Sequence, residues 1–181
     1  MLKLIKKLSK KTLKYYTPDF LFKKIPSIII IETTNICNLR CPVCPTHVDM
    51  NRKLGFMDFN LYKSIIDEFT NFKKKPEIAM NFSGEPTLHK DIYKFAEYAS
   101  SRGHRTYIST NVTAMNKKNS IKLINTGLTD IHLCIDGFSN KSHDTYRIGS
   151  DFNDIKRNIE TFMESKRELK SKYPNVVIQT L

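Results

Sequence analysis

Three cysteines, Cys37, Cys41 and Cys44, stand within eight residues at the spacing C-x3-C-x2-C. Three thiolates on one short loop can hold three corners of a metal centre and leave a fourth open. Two chemistries suit that set. With His47 the loop reads C-x3-C-x2-C-x2-H, enough donors for a closed tetrahedral zinc site. Structural zinc more often pairs two short motifs from separate segments, so four ligands on one loop is less typical. The alternative is an iron–sulfur cluster with three cysteine ligands, one iron of which stays open to another molecule. Cys134 stands alone and reads as a small buried residue. Cysteines this crowded point to metal ligation in a reducing compartment rather than to disulfides.

The elements around the loop follow from periodicity. At 181 residues and 40% hydrophobic composition the chain is one domain, or most of one, able to bury a core. The run Ile28 to Ile31 reads as a buried strand feeding the cysteine loop, and it is far too short to span a membrane. A secretory signal is not evident, so a cytoplasmic location is expected. Strands are expected over about 27–33, 77–82, 105–109, 130–135 and from about 176. Helices are expected over about 58–69, 90–101, 117–125 and 151–170. Asp58 is a fitting N-cap, and Gly103 and Gly127 close the second and third helices. Five strands alternating with four helices imply an α/β fold with a parallel sheet. Ligands of such folds gather at the C-terminal strand ends. The chemically distinctive residues fall there: the cysteines, then Ser83 to Pro86, Ser109 to Asn111, and Asp136-Gly137.

Charge divides the chain into 1–26 and 27–181. Residues 1–26 carry eight lysines against Asp19, a net +7 of the chain's +12. A basic leader on a mildly basic domain is not a nucleic-acid footprint, and no nucleic acid is expected as a partner. Residues 1–16 form an amphipathic helix pattern, with Leu4, Ile5, Leu8, Thr12, Tyr15 and Tyr16 opposite six lysines. Such a helix could cap the barrel bottom, lie on the anionic inner face of a membrane as a peripheral contact, or bind a partner protein. Pro18 and Pro26 mark the following linker.

CNLRCPVC resembles the cluster-binding motif of the radical S-adenosylmethionine (radical SAM) superfamily. FSGEP at Phe82 to Pro86 resembles that family's glycine–glycine–glutamate–proline element. STN at Ser109 to Asn111 and CIDG at Cys134 to Gly137 resemble its later strand-end elements. The resemblance covers about residues 27–181 and implies a partial TIM-like (β/α)6 barrel. It also implies a [4Fe-4S] cluster on Cys37, Cys41 and Cys44, with S-adenosyl-L-methionine chelating the open iron. Reductive cleavage of the cofactor would give a 5′-deoxyadenosyl radical that takes a hydrogen from an unidentified substrate. The reductant would be a flavodoxin or ferredoxin.

By the same resemblance Gly84, Glu85, Ser109, Asn111, Asp136 and Arg147 are expected to bind the cofactor. Gly84 would let backbone approach its methionine end, and Glu85 would face its amino group. Ser109 and Asn111 would meet carboxylate or ribose, Asp136 the ribose hydroxyls, and Arg147 the carboxylate. Each has a plainer alternative: Ser109 and Asn111 can end a strand, Asp136-Gly137 is a common turn pair, and Arg147 can be a solvated loop residue. Two residues depart from the family pattern. Val43 stands where an aromatic often contacts adenine, and Ser83 stands for the first glycine. Side-chain alternation places His132, Cys134 and Asp136 on one face of their strand, with a pairing of His132 and Glu32 conceivable. His47, His89, His104 and His143 read as surface or loop histidines.

The family core has six strands, so a chain ending in its fifth is expected to be a fragment. ETTNICNLRCPVCP and YRIGSDFNDIKRNIE look most like members with a C-terminal SPASM-type extension. An inactive cofactor-binding fragment and a zinc-binding interaction module are the alternatives to an enzyme core.

Overall fold

The computed structural model describes residues 25–180. The helix expected over 1–16 lies outside the described residues, as does nearly all of the leader.

Five strands form one parallel sheet in sequential order. They are β1 (Ile28–Ile30), β2 (Glu77–Ala79), β3 (Thr106–Thr110), β4 (Asp130–Cys134) and β5 (Asn175–Gln179). The crossovers are α2 (Phe59–Thr70), α3 (Ile92–Ser101), α4 (Lys117–Ile124) and α6 (Phe152–Glu168). This is the expected alternation, a partial TIM-like barrel. Three short elements were not foreseen: α1 (Pro45–Val48) inside the cysteine loop, a 3₁₀ turn at Pro86–Leu88, and α5 (Asn140–Tyr146) after β4. Among the described residues no helix is long and apolar enough to cross a membrane.

Local chemistry starts the helices where expected. Asp58 Oδ1 accepts from the N–H groups of Asn60 and Leu61 at 2.8 and 3.1 Å. Asn116 caps α4 and Asp151 caps α6 in the same way. These bonds satisfy donors that a helix start leaves unpaired. Gly103 and Gly127 adopt positive φ beyond the ends of α3 and α4.

One face of the sheet packs on the crossover helices. Ile78, Met80, Ile108, Ile131 and Leu133 meet Tyr62, Ile66, Phe95, Ala96, Leu123, Ile155 and Phe162 in a single core. The Tyr62 and Phe95 rings stack at 4.4 Å. The other face carries Tyr107, Ser109, His132 and Cys134, the period-2 partners of the core residues. Here β1 corrects the expectation of a fully buried strand. Ile29 and Ile31 pack on the core, but Ile28 and Ile30 are 49% and 57% exposed. β1 is an edge strand, and only its helix-facing side is covered.

The sheet holds the rim only while this core is filled. Phe95→Ala should cost about 3–5 kcal/mol, read as a shift in the denaturant midpoint with an unchanged slope. A cost below about 1 kcal/mol would contradict the central place given to this ring.

Candidate metal and cofactor site

All nine residues singled out from the sequence line one cavity. Cys37, Cys41, Cys44, Gly84, Glu85, Ser109, Asn111, Asp136 and Arg147 surround a space of about 290 Å³ at the C-terminal ends of β1 to β4. Asn81, Thr110, Cys134 and Tyr146 join them.

The cysteine loop is tied down on several sides. Thr34 Oγ1 donates to Gly55 O at 2.8 Å and accepts from Ile36 N at 3.1 Å. Asn35 bridges Lys53 O and Gly55 N. Arg40 N donates to Ile148 O at 2.8 Å, and Asn111 Nδ2 to Asn38 Oδ1 at 3.0 Å. Cys37 Sγ accepts from Leu39 N at 3.4 Å and from Asn111 Nδ2 at 3.8 Å. Such donors tune a metal-bound thiolate.

Glu85 joins the next two strand ends to this loop. It is 2% exposed. Its Oε1 accepts from Thr87 N, Thr87 Oγ1 and Thr110 Oγ1 at 3.0, 2.6 and 2.7 Å. Its Oε2 accepts from Asn111 N at 2.6 Å. Its own N–H donates to Ile36 O at 2.8 Å. Burial pushes the carboxyl above the usual range, while these donors pull against it. Oε1 accepts three bonds and Oε2 one, which leaves Oε2 with spare acceptor capacity.

Gly84 has positive φ, and the reason for glycine lies in the protein itself. An added Cβ would sit 2.5 Å from Thr34 O, 2.8 Å from the Asn35 carbonyl carbon and 2.8 Å from Ile36 O. The position must be bare because the cysteine loop passes directly against it. Close approach of a cofactor is not needed to account for it.

Asp136 and Arg147 form a partly buried ion pair, with Arg147 Nε 2.5 Å from Asp136 Oδ2. Arg147 closes α5 as its C-cap residue, and its side chain is only 18% exposed. It is therefore a cavity-lining residue rather than a solvated one. Burial works against its charge, but the bond and charge of Asp136 outweigh this and hold its pKa above the usual value. Burial raises the Cys41 thiol, and Arg147 draws it back toward the thiolate. Burial likewise raises Cys37. The site thus places a fixed cation beside thiols that ligation would ionise.

Several sequence expectations are corrected here. His89, His104 and His143 are buried, at 2%, 4% and 1% exposure, not surface histidines. Each ring bonds a main-chain carbonyl: His89 to Met57 O, His104 to Pro76 O, His143 to Asp136 O. His132 does not pair with Glu32. Its ring packs at 5.0 Å on Tyr107, while Glu32 takes a two-pronged contact from Arg52 and the Ser83 N–H. His47 is exposed and lines a neighbouring cavity with Arg40 and Thr46. Among the described residues no three His, Cys, Asp or Glu side chains stand where they could hold one metal ion. Cys134 is buried, yet it borders the cavity with its Sγ 3.1 Å from Ser109 Oγ. Val43 is 63% exposed at the cavity, with Leu39, Phe82 and Tyr146 as further apolar lining. Asn81 and Tyr146 were not foreseen. Strand alternation could have pointed to Asn81, two residues beyond Ala79, whereas Tyr146 depends on an unforeseen helix.

The family model described as Radical SAM superfamily matches residues 31–178. The chain belongs to the radical SAM superfamily. A Fe-coproporphyrin III synthase of Methanosarcina barkeri is 29% identical over 136 residues, 69% of this chain and 33% of that protein. A PqqA peptide cyclase of Bradyrhizobium diazoefficiens is 26% identical over 114 residues, 62% of this chain and 29% of that protein. The chain spans about a third of the length of the curated relatives it matches. The crystal structure of BtrN in complex with AdoMet and 2-DOIA superposes with a TM-score of 0.68 at 22% identity. The match covers 87% of this chain and 57% of that one, a likeness of fold. This radical SAM core therefore has the fold of a protein solved with S-adenosylmethionine bound.

Gly84→Ala tests how the rim is joined. The variant should lose at least the roughly 1–2 kcal/mol of a left-handed non-glycine residue, seen in thermal melting. Its three loop thiols should also react faster with a thiol reagent. Unaltered thiol reactivity would contradict the close packing of Gly84 on the cysteine loop.

Proposed function

We propose that this chain is the core of a radical SAM enzyme whose cavity holds a [4Fe-4S] cluster and S-adenosylmethionine. The reading is carried by one observation: three cysteines from one loop, five residues from three further strand ends, and Arg147 at the end of α5 line the same cavity. The donor set suits the cluster. Thiol sulfurs are its usual ligands, and three leave one iron open. A single zinc ion with His47 is disfavoured, because His47 does not line this cavity.

When bound and reduced, the cluster and S-adenosylmethionine would together supply radical abstraction of a hydrogen atom from substrate. The chain's residues bind and orient. Cys37, Cys41 and Cys44 hold the cluster. Glu85 Oε2 receives the cofactor's amino group. Arg147, fixed by Asp136, offers its guanidinium to the carboxylate. Ser109 and Asn111 supply further hydrogen bonds, and Leu39, Phe82 and Tyr146 replace the aromatic contact that Val43 lacks. The electron comes from a flavodoxin- or ferredoxin-type donor. The substrate is an organic molecule bearing a hydrogen that the radical can abstract. The likeness to a peptide cyclase favours a peptide among such molecules.

Anaerobic reconstitution with iron and sulfide should give a brown protein absorbing near ~400 nm. With reductant and S-adenosylmethionine it should release 5′-deoxyadenosine. Cys41→Ala should lose the chromophore and the product while keeping its fold by circular dichroism. Product formation by that variant, or zinc uptake in place of iron by the parent, would overturn the reading.

A further inference from the structure

The cysteine loop has a second open side. A surface cavity of about 340 Å³ lies against it, with Cys37, Leu39, Arg40, Thr46, His47 and Leu54 in its lining. Cys37, Leu39 and Thr46 line this cavity and the cofactor cavity alike. The loop is therefore a wall one residue thick at Cys37, with the cofactor cavity on one side and a surface hollow on the other. Of the three loop cysteines, Cys37 alone borders both spaces.

The chemistry proposed above needs an electron delivered to the cluster, and electron transfer between proteins falls off steeply with distance. A carrier entering through the cofactor cavity would compete with cofactor and substrate for the same space. The outer hollow offers an approach free of that conflict, with only the Cys37 wall between.

The surface around the hollow has a definite character. Between Ile36 and Met57 the chain carries Arg40, Arg52 and Lys53 against a single acid, Asp49. Arg52 is held by Glu32, which leaves Arg40 and Lys53 as exposed cations. The Arg40 side chain lies along the loop and donates to Cys37 O and Leu39 O at 3.2 and 3.1 Å. Val48 and Leu54, next in the chain to His47 and Lys53, are 65% and 59% exposed. Exposed apolar side chains set among cations are the complement of an acidic partner surface.

We propose that the outer face of the cysteine loop, at Arg40, His47, Lys53 and Leu54, is the docking surface for an acidic one-electron carrier protein, an assignment that rests on the cluster reading above. The docked carrier is oxidised by one electron and the cluster behind Cys37 is reduced by one, with no bond made or broken. Opposite charge steers the encounter and so acts mainly on its rate.

The test uses the reconstituted full-length protein and, as probe, a reduced flavodoxin of strongly negative net charge. Cluster reduction is followed by stopped-flow absorbance and complex formation by calorimetry. Lys53→Glu and Leu54→Glu should each slow reduction by the flavodoxin about threefold to tenfold at low salt and weaken the complex, and the Lys53→Glu deficit should shrink as salt rises. Lys172→Glu is an equal change of charge just before β5, at the opposite end of the sheet, and should have no such effect. All three should keep the parent's iron content, its affinity for S-adenosylmethionine and its rate of reduction by photoreduced deazariboflavin, a small uncharged donor. Flavodoxin reduction at the parent's rate in both loop variants, or equal slowing in Lys172→Glu, would overturn the docking surface alone. So would self-association of the parent that Leu54→Glu abolishes while flavodoxin reduction stays unchanged. A parent that takes up no cluster would overturn the cluster reading itself, and this inference with it.

Discussion

The site depends on one buried carboxylate. Glu85 accepts hydrogen bonds from the Thr87, Thr110 and Asn111 segments, and its N–H holds Ile36 at the entrance to the cysteine loop. Strand ends in a parallel sheet do not by themselves fix their loops, since ladder hydrogen bonds stop where the strands stop. Glu85 extends the connection beyond the sheet, joining β2, β3 and the loop after β1. A carboxylate taken out of water is costly unless its oxygens are satisfied. Four donors offset that cost here and make the arrangement specific. Gly84 is the steric counterpart. The loop can reach Glu85 only because the residue before it has no side chain.

The same economy appears at the opposite wall. Asp136 and Arg147 bring the end of β4 and the end of α5 together, and their pairing keeps a cation near Cys41. His143 adds a second tie, from α5 to Asp136 O and to Ser150 Oγ. The cavity is thus framed by two clamps, the Glu85 carboxyl after β2 and the Asp136–Arg147 ion pair after β4, with the three loop thiols lining the same space. This distribution of charge suits a ligand that is both an ammonium and a carboxylate.

Much of this was legible in the sequence because periodicity and capping are local. The helices begin at Asp58, Asn116 and Asp151, and glycines end two of them, so those boundaries were readable to within a residue or two. Eight of the nine site residues could be placed on one rim because strand order and strand ends suffice for that, whereas Arg147 came from the resemblance alone and lies at the end of α5. What was not legible depends on tertiary partners. α5 is polar throughout and too short to show an apolar stripe, so its cap and Tyr146 went unseen. The burial of His89, His104 and His143 depends on carbonyls elsewhere in the chain. The exposure of Ile28 and Ile30 follows from their lying on the sheet face turned away from the crossover helices, which a run of isoleucines cannot reveal. The roles expected of Gly84 and Glu85 named a ligand, whereas the structure first gives each of them a partner in the protein.

The central claim is that three cysteines hold a cluster with one iron left for S-adenosylmethionine. Mössbauer spectroscopy of full-length protein reconstituted with isotopically enriched iron tests it directly. The account predicts a [4Fe-4S] signal in which one iron site separates from the others when S-adenosylmethionine is added, and not when methionine is withheld from it as 5′-deoxyadenosine. A spectrum that does not change on adding the cofactor, or a protein that takes up no cluster, would contradict it.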